Sequence, residues 1–537
     1  MSVTQVPVLI VGAGAAGLTT SALLAKHGIR SLLVEKRDEA FIYPKARNLS
    51  FRTLEILREL GLADEVHAVA EGVSNMRGRP TLNSAEEWEA FDVDSIFGPF
   101  SALSPEPAGQ YCPQSAFEPM LLAHIRRQHS QVRYGTELCS FEPDDTGVTA
   151  IVRQQDSGES EMVRADYLVA ADGVRSPIRD ALGVATSGYG ALPIYVVFIY
   201  FRAPWRKFVP DLPDGDAVQV KNPAVDGIFL SVRDDLGMFI TTYFPRSGES
   251  AAQFTAQRCR EVLTSAIGEP IDAEIIDVAP WQPYEQVADQ FDSGRVFLVG
   301  DSAHTMPPFK AGGANTAIQS AHNLAWKLAA VLDGMADPAL LATYHTERHP
   351  VGRFNARQSL TGPAIGFLRI DDNRPQLPAD EEAPMFNVLI GYQYRSAAVV
   401  FENSAEASPD GLVDELRAQP GTRVPHVWVL RAGCRVSTLD LVGPGFTLFT
   451  GSSGADWATS AEAVSAKLSV PITVRSIGAD GEIRDSDGQW TQLTGLSVDD
   501  ALLVRPDGFV AWRSGALAPS AENRLSEVLC QILGRAQ

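Results

Sequence analysis

The chain has 537 residues, 45% hydrophobic and 21% charged, the balance of a globular protein with several cores. A formal net charge of −21 repels nucleic-acid phosphates and anionic lipid, so neither is an expected partner. Five scattered cysteines (Cys112, Cys139, Cys259, Cys434, Cys530) form no CxxC pair, which argues against a disulfide framework, a zinc site and a dithiol redox centre.

Residues 6–11 (VPVLIV) read as a short buried strand. They run into Gly12-Ala13-Gly14-Ala15-Ala16-Gly17 and a helix built on Leu18, Ala22, Leu23 and Ala25, stopped by Gly28. Gly12 suits the tight turn, Gly14 a close approach to pyrophosphate, and Gly17 close packing of helix on strand. The free N–H groups at the helix start make an anion site. A second strand over 31–34 ends in Glu35, placed where a ribose-binding carboxylate belongs. By this unit alone, FAD and NAD(P) fit equally.

Arg47 precedes an apolar-periodic helix that Gly61 ends, and it faces either a cofactor or solvent. Residues 73–108 read as irregular, with Trp88, Phe91, Phe97 and Phe100 interspersed. Gln114 precedes a helix over 117–128, and hairpins follow over 132–165. Strand 167–171 halts at Asp172-Gly173, and Ser176-Pro177 caps a short helix. Strands over 194–201, 227–232 and 238–244 run consecutively, which predicts an antiparallel α+β insertion, followed by a helix near 251–267. Tyr200, Phe229, Phe239 and Tyr243 are its candidate pocket residues, with Arg233, Tyr200 and Tyr243 candidates for the group beside a substrate hydroxyl.

A second strand–glycine–acid signal, 295–304 (RVFLVGDSAH), leads through Pro307 and Lys310 to Gly312-Gly313-Ala314-Asn315 and a long helix. Asp301 is placed to bind a polyol, and the helix-start N–H groups to stabilise negative charge. His304 has no ligand-spaced partners, so no metal is expected. Acidic, Pro-rich residues 371–395 read as a linker to a last α/β unit. No basic segment precedes the first strand, and the apolar run 195–201 is too short for a bilayer, so a cytoplasmic protein is expected.

Three separated motifs resemble the class A flavoprotein monooxygenases, aromatic hydroxylases of the p-hydroxybenzoate hydroxylase fold. They are Gly12-x-Gly14-x-x-Gly17; Asp172-Gly173-x-x-Ser176-x-x-Arg179; and Gly300-Asp301-Ser302-Ala303-His304 continuing to Asn315. Residues 425–428, 437–440 and 504–513 resemble the added thioredoxin-like domain of the larger, polyketide-tailoring members. The resemblance implies a mixed α/β and α+β chain. It consists of a Rossmann-like FAD-binding domain (1–72, 109–185, 280–370), an inserted antiparallel-sheet substrate domain (73–108, 186–279), the linker, and a thioredoxin-like domain (396–537).

It also implies cofactor contacts. Gly12, Gly14, Ala16, Gly17, Glu35 and Lys36 serve the adenosine and pyrophosphate, with Leu138 near the adenine. Arg47, Gln114, Asp172 and Gly173 reach the phosphates or ribityl chain. Asp301 takes ribityl hydroxyls, and Gly313, Ala314 and Asn315 lie at the isoalloxazine. Family members usually carry glycine where this chain has Lys310 and Ala311; Arg47, Pro307 and Lys310 are the candidate catalytic residues. The implied reaction is hydroxylation of a polycyclic aromatic through a flavin C4a-hydroperoxide. It consumes O₂ and NADPH or NADH, in a monomer or homodimer. The alternatives are a Baeyer–Villiger-type or quinone-rearranging oxygenase, and a non-oxygenating flavin reductase.

Overall fold

The computed structural model describes residues 3–39, 47–72, 76–91, 98–213, 216–362, 380–479, 482–514 and 520–536. The chain enters on β1 (Val3–Val11), turns into α1 (Ala15–Lys26) and returns as β2 (Ser31–Val34), parallel to β1 with Val8 opposite Ser31. After α2 (Phe51–Glu59) and α3 (Gln114–Arg127), β3 (Ser160–Ala170) lies parallel to β1 on its other side, pairing Val11 with Ala170. Val8, Leu9, Ile10, Leu32 and Leu33 are all fully buried. Parallel strands covered on both faces read as continuous apolar runs, as these do.

The sheet of the expected substrate domain, called the substrate sheet below, is antiparallel except where Ala217–Lys221 lies parallel to Met76–Arg79. Its core strands are β4 (Tyr195–Arg202), β5 (Asp226–Arg233) and β6 (Leu236–Tyr243). Helix α4 (Ala256–Ile267) covers one face, and β7 (Glu274–Trp281) closes one edge beside β4. Strands Met76–Arg79 and Trp88–Phe91 extend the other edge, so 73–108 is less irregular than its composition suggests. Phe100 packs against Phe51 at 6.4 Å between centroids, a core role rather than a cleft one. Phe97 lies outside the described residues.

Side chains alternate across a strand, so register decides which rings line a cleft. Phe229 and Phe239 are fully buried against Phe201, Trp205 and the α4 residues Cys259 and Leu263. Tyr243 stands on that same face, 5.6 Å from Tyr195 and 6.1 Å from Phe254. Phe229 and Phe239 are therefore core, and Tyr243 is half-buried at the margin of the same cluster, because all three stand on the face that α4 covers. Tyr200 occupies the opposite face with Leu230 and Met238.

Strand β8 (Val296–Leu298) joins the first sheet beside β3 and delivers α5 (Gly312–Leu332), which lies along α1, followed by α6 (Ala342–Gln358). The C-terminal sheet carries helices Ala455–Leu468 and Ala521–Ile532, the expected thioredoxin-like arrangement without a CxxC pair. The expected linker needs correction over its described part. Tyr392 and Tyr394 are buried, stacking on Phe509 at 5.9 and 4.4 Å. Aromatic burial here outweighs the linker-like composition upstream; residues 371–379 lie outside the described residues.

Candidate active site

Close backbone approach brings the three motifs together. A Cβ on Gly12 would stand 2.7 Å from the Ala171 carbonyl carbon, and one on Gly17 would overlap the Gly12 carbonyl oxygen. A Cβ on Gly300 would stand 2.7 Å from the Ala16 Cβ. Arg179 ties the second motif to the third, donating to the carbonyls of Ser302 and Val174 at 3.1 Å each. Ser176 caps the helix Pro177–Ala181 by accepting from Arg179 N–H at 3.0 Å.

Other groups face open space at this junction. Beyond its neighbours in the chain, the nearest atom to a Cβ on Gly14 would be Glu118 Oε1 at 3.9 Å, and Gly173 has nothing within 4 Å. Asp172 Oδ2 accepts from Ile178 N–H at 3.1 Å, while Oδ1 is buried without a hydrogen-bond partner. Burial pushes the Asp172 carboxyl up, against the pull of Ser176 and Ile178. An orphaned acceptor beside a helix start with room above its glycine fits a dinucleotide cofactor lying across the motifs.

Glu35 is buried at the end of β2; its Oε2 accepts from Ala13 N–H at 2.8 Å, and Oε1 from Arg37 Nε at 2.9 Å. Burial raises its carboxyl, but Arg37 and Ala13 outweigh that and hold it below the usual carboxylate range. The acid is thus an ionised acceptor at the mouth of α1, as a ribose contact requires. Thr136 N–H donates to Glu35 O at 2.9 Å, which places half-buried Leu138 two residues along the same strand. Lys36 is exposed beyond the acid. Gln114, the first residue of α3, reaches Glu118 across the space above Gly14.

At the second helix mouth Asp301 is exposed in the turn after β8. Asn315 is buried and spends all its side-chain capacity on the protein. Its Oδ1 accepts from Ser50 N–H at 3.0 Å and Thr53 Oγ1 at 2.6 Å; its Nδ2 donates to the carbonyls of Asn48 at 3.0 Å and Ala311 at 2.7 Å. The Asn315 side chain therefore has no donor or acceptor left over for a cofactor. Ala311 caps α5 with φ at +52°, a left-handed conformation that glycine adopts at lower cost. Lys310 is directed to Glu382, with Nζ 2.8 Å from Oε1, so its charge is paired with a carboxylate of the protein.

The loop from Pro307 carries Phe309 onto the open face of the substrate sheet. There it joins Leu192, Ile194, Phe198, Ile240 and Trp281. Phe198 and Trp281 meet at 5.8 Å between centroids. The parity of Tyr200 along β4 already put Phe198 on this face; Phe309 carried no comparable signal, since its place depends on the loop. Burial lowers the Arg47 guanidinium, and Tyr111, Asp216 and Tyr200 are the polar groups that counter this. Arg47 O accepts from Cys112 N–H at 2.8 Å. His304 is buried and held neutral, its pKa lowered by burial and Arg348 to about 3; Nε2 lies 3.2 Å from Ser320 Oγ. No group able to hold a metal ion occurs among the described residues.

Comparison with known proteins agrees with this geometry. Residues 5–359 match the FAD binding domain family, and residues 417–536 match the aromatic-ring hydroxylase C-terminal family. The tetracenomycin A2 monooxygenase-dioxygenase of Streptomyces glaucescens is 38% identical, covering 100% of this chain and 98% of that protein. The aklavinone 12-hydroxylase RdmE of Streptomyces purpurascens is 37% identical over 99% of both. The crystal structure of aklavinone-11 hydroxylase with FAD and aklavinone superposes with a TM-score of 0.90, at 35% identity over 100% of both chains. Converging glycine motifs, a second helix mouth and these relatives together place the chain in the FAD-dependent aromatic-ring hydroxylases, flavoprotein monooxygenases of the p-hydroxybenzoate hydroxylase fold.

Proposed function

We propose that the chain hydroxylates an electron-rich ring of a polycyclic aromatic, polyketide-like compound, with NADPH or NADH as transient reductant. The carrying observation is the apolar face formed by Phe198, Ile240, Trp281 and Phe309, set against the loop that opens α5. Flat rings of that kind suit a flat, fused substrate. Two relatives are named for tetracenomycin and aklavinone chemistry, which supports the substrate class. Another, 36% identical, is named a 4-methyl-5-nitrocatechol 5-monooxygenase, so a single-ring substrate is the competing reading.

Bound FAD supplies electron transfer and oxygen activation. The start of α1 and Glu35 would hold its nucleotide half, and Asp172 and Asp301 would serve the chain that links it to the flavin ring. The N–H groups at the start of α5 favour negative charge at the ring, an electrostatic contribution that requires no reorganisation. Leu192, Ile194 and Ile240 exclude water, and Phe198 and Trp281 orient the substrate plane. Tyr200, on the same face as Phe198 and Ile240, and Arg47, which interacts with it, would serve a substrate phenol, Tyr200 to share its proton and Arg47 to favour the phenolate.

The test is NADPH and NADH oxidation by the FAD-loaded protein with tetracyclic phenols and with catechols, followed by product mass. A tetracyclic product heavier by one oxygen with its rings intact is expected. Ring-expanded lactone points to Baeyer–Villiger chemistry, stimulation by catechols alone to a single-ring substrate, and gain of hydrogen only to a reductase. Any of these overturns the proposal.

A further inference from the structure

Helix α2 touches both the C-terminal domain and the start of α5 through neighbouring residues. Arg52, buried to 4% exposure, donates through Nη1 to Glu55 Oε2 and through Nη2 to the Asp507 carbonyl, each at 2.9 Å. Its guanidinium lies over the Phe509 ring, 5.7 Å from the centroid. Asp507 and Phe509 form a turn of the C-terminal domain, braced by Gly508 N–H donating to the Arg505 carbonyl at 2.9 Å. On either side of Arg52 stand Ser50 and Thr53, the residues that donate to Asn315 Oδ1.

We infer that Arg52 is a positioning residue through which the C-terminal domain sets the start of α5. The inference rests on the reading that this helix start faces the flavin. A guanidinium holding a carbonyl and a carboxylate in a dry seam is a directional constraint. Residues 50–53 span one turn, so displacement of Arg52 shifts both donors to Asn315. Asn315 Nδ2 in turn holds the Ala311 carbonyl at the cap of α5. The thioredoxin-like domain, lacking a dithiol, thereby acts on the flavin site through geometry.

The test is FAD titration of the apoprotein, with the reduction potential of the bound flavin, for Arg52→Met, Phe509→Leu and Thr53→Val. Each is expected to weaken FAD binding about tenfold, and all to move the potential in one direction. The Arg52→Met/Thr53→Val double variant is expected to fall short of the product of the single effects. Val464→Ala, in the C-terminal core, is expected to lower the thermal midpoint while leaving both flavin readouts at wild-type values. If Arg52→Met does not fold, Phe509→Leu carries the test from the other side of the contact. Flavin effects in Thr53→Val without any in Arg52→Met and Phe509→Leu overturn the relay and leave the site reading intact. Absence of effect in all three overturns the relay and the placement of the flavin at α5. Equal flavin effects in Val464→Ala also overturn the relay, since they trace to general loosening.

Discussion

At the scale of the residue, two glycines in one motif have opposite duties. Gly14 has φ −83° and no foreign atom nearer than 3.9 Å to a Cβ, whereas Gly17 abuts the Gly12 carbonyl. Gly14→Ala is therefore expected to leave the apoprotein's thermal midpoint unchanged and weaken FAD at least about tenfold, by occupying space the pyrophosphate needs. Gly17→Ala is expected to yield little soluble protein, because the strand and helix cannot separate without opening the core. Fluorescence of free against bound FAD and a melting curve separate the two cases. The two aromatic populations of the substrate sheet differ likewise. Phe239→Leu is expected to cost about 1–3 kcal/mol in urea unfolding with the substrate range unchanged. Phe198→Ala is expected to raise KM for the aromatic substrate more than it lowers stability. Residue types were legible in the sequence, but facing was not: the face that α4 seals depends on packing between elements far apart in the chain.

Among the elements, α5 is the most informative. The long helix, its glycine-rich start and the apolar stripe Ile318, Ala321, Ala325, Leu328 and Leu332 follow from spacing in the sequence; the first four are fully buried and Leu332 is half-buried. The pairing of Lys310 with Glu382 was not legible, because it joins residues across a segment with no local pattern. The role of Asn315 was only half legible. A helix-start amide reads as a ligand contact, yet here its side chain is bonded to α2 and to its own cap. Ala311 tests the geometry of that cap. In an ordinary helix Ala→Gly costs up to about 1 kcal/mol. At φ +52° the substitution relieves left-handed strain instead, so Ala311→Gly is expected to leave the urea midpoint unchanged or raise it. A loss near 1 kcal/mol would contradict the assigned backbone.

For the whole molecule, the binding of the C-terminal domain is ionic at its centre. Lys327 of α5, Glu347 of α6 and Arg505 are all fully buried. Glu347 Oε2 is 2.8 Å from Lys327 Nζ, and Oε1 is 2.6 Å from Arg505 Nη1. Glu347→Gln leaves Lys327 without its carboxylate and Arg505 with Asp507 alone, and is expected to cost about 3–5 kcal/mol, read as a lower urea midpoint. Replacing Lys327, Glu347, Arg505 and Asp507 together with apolar residues of similar volume is expected to cost far less. No sequence pattern announced this cluster, since its members lie in three separate stretches.

Acid stability follows from the buried histidines. Burial holds His304 down to about 3 and His27 and His426 to about 4. The unfolded chain takes up these protons below about pH 6.5 and the folded chain does not, so stability is complete above that pH and falls toward pH 4. Urea midpoints between pH 7 and 5 are expected to decline, these rings taking up a number of protons on unfolding that rises toward about three at pH 5. A flat profile would contradict the burial of these rings.

A crystal structure of the FAD-loaded protein puts the central claim to its most direct test. The account predicts the pyrophosphate within hydrogen-bonding distance of the main chain at the start of α1. It also predicts the isoalloxazine over the Gly313–Asn315 main chain, with the Phe198, Trp281 and Phe309 face beside the ring. A flavin bound with its phosphates away from Gly14, or with its ring on the α4 side of the substrate sheet, would contradict it.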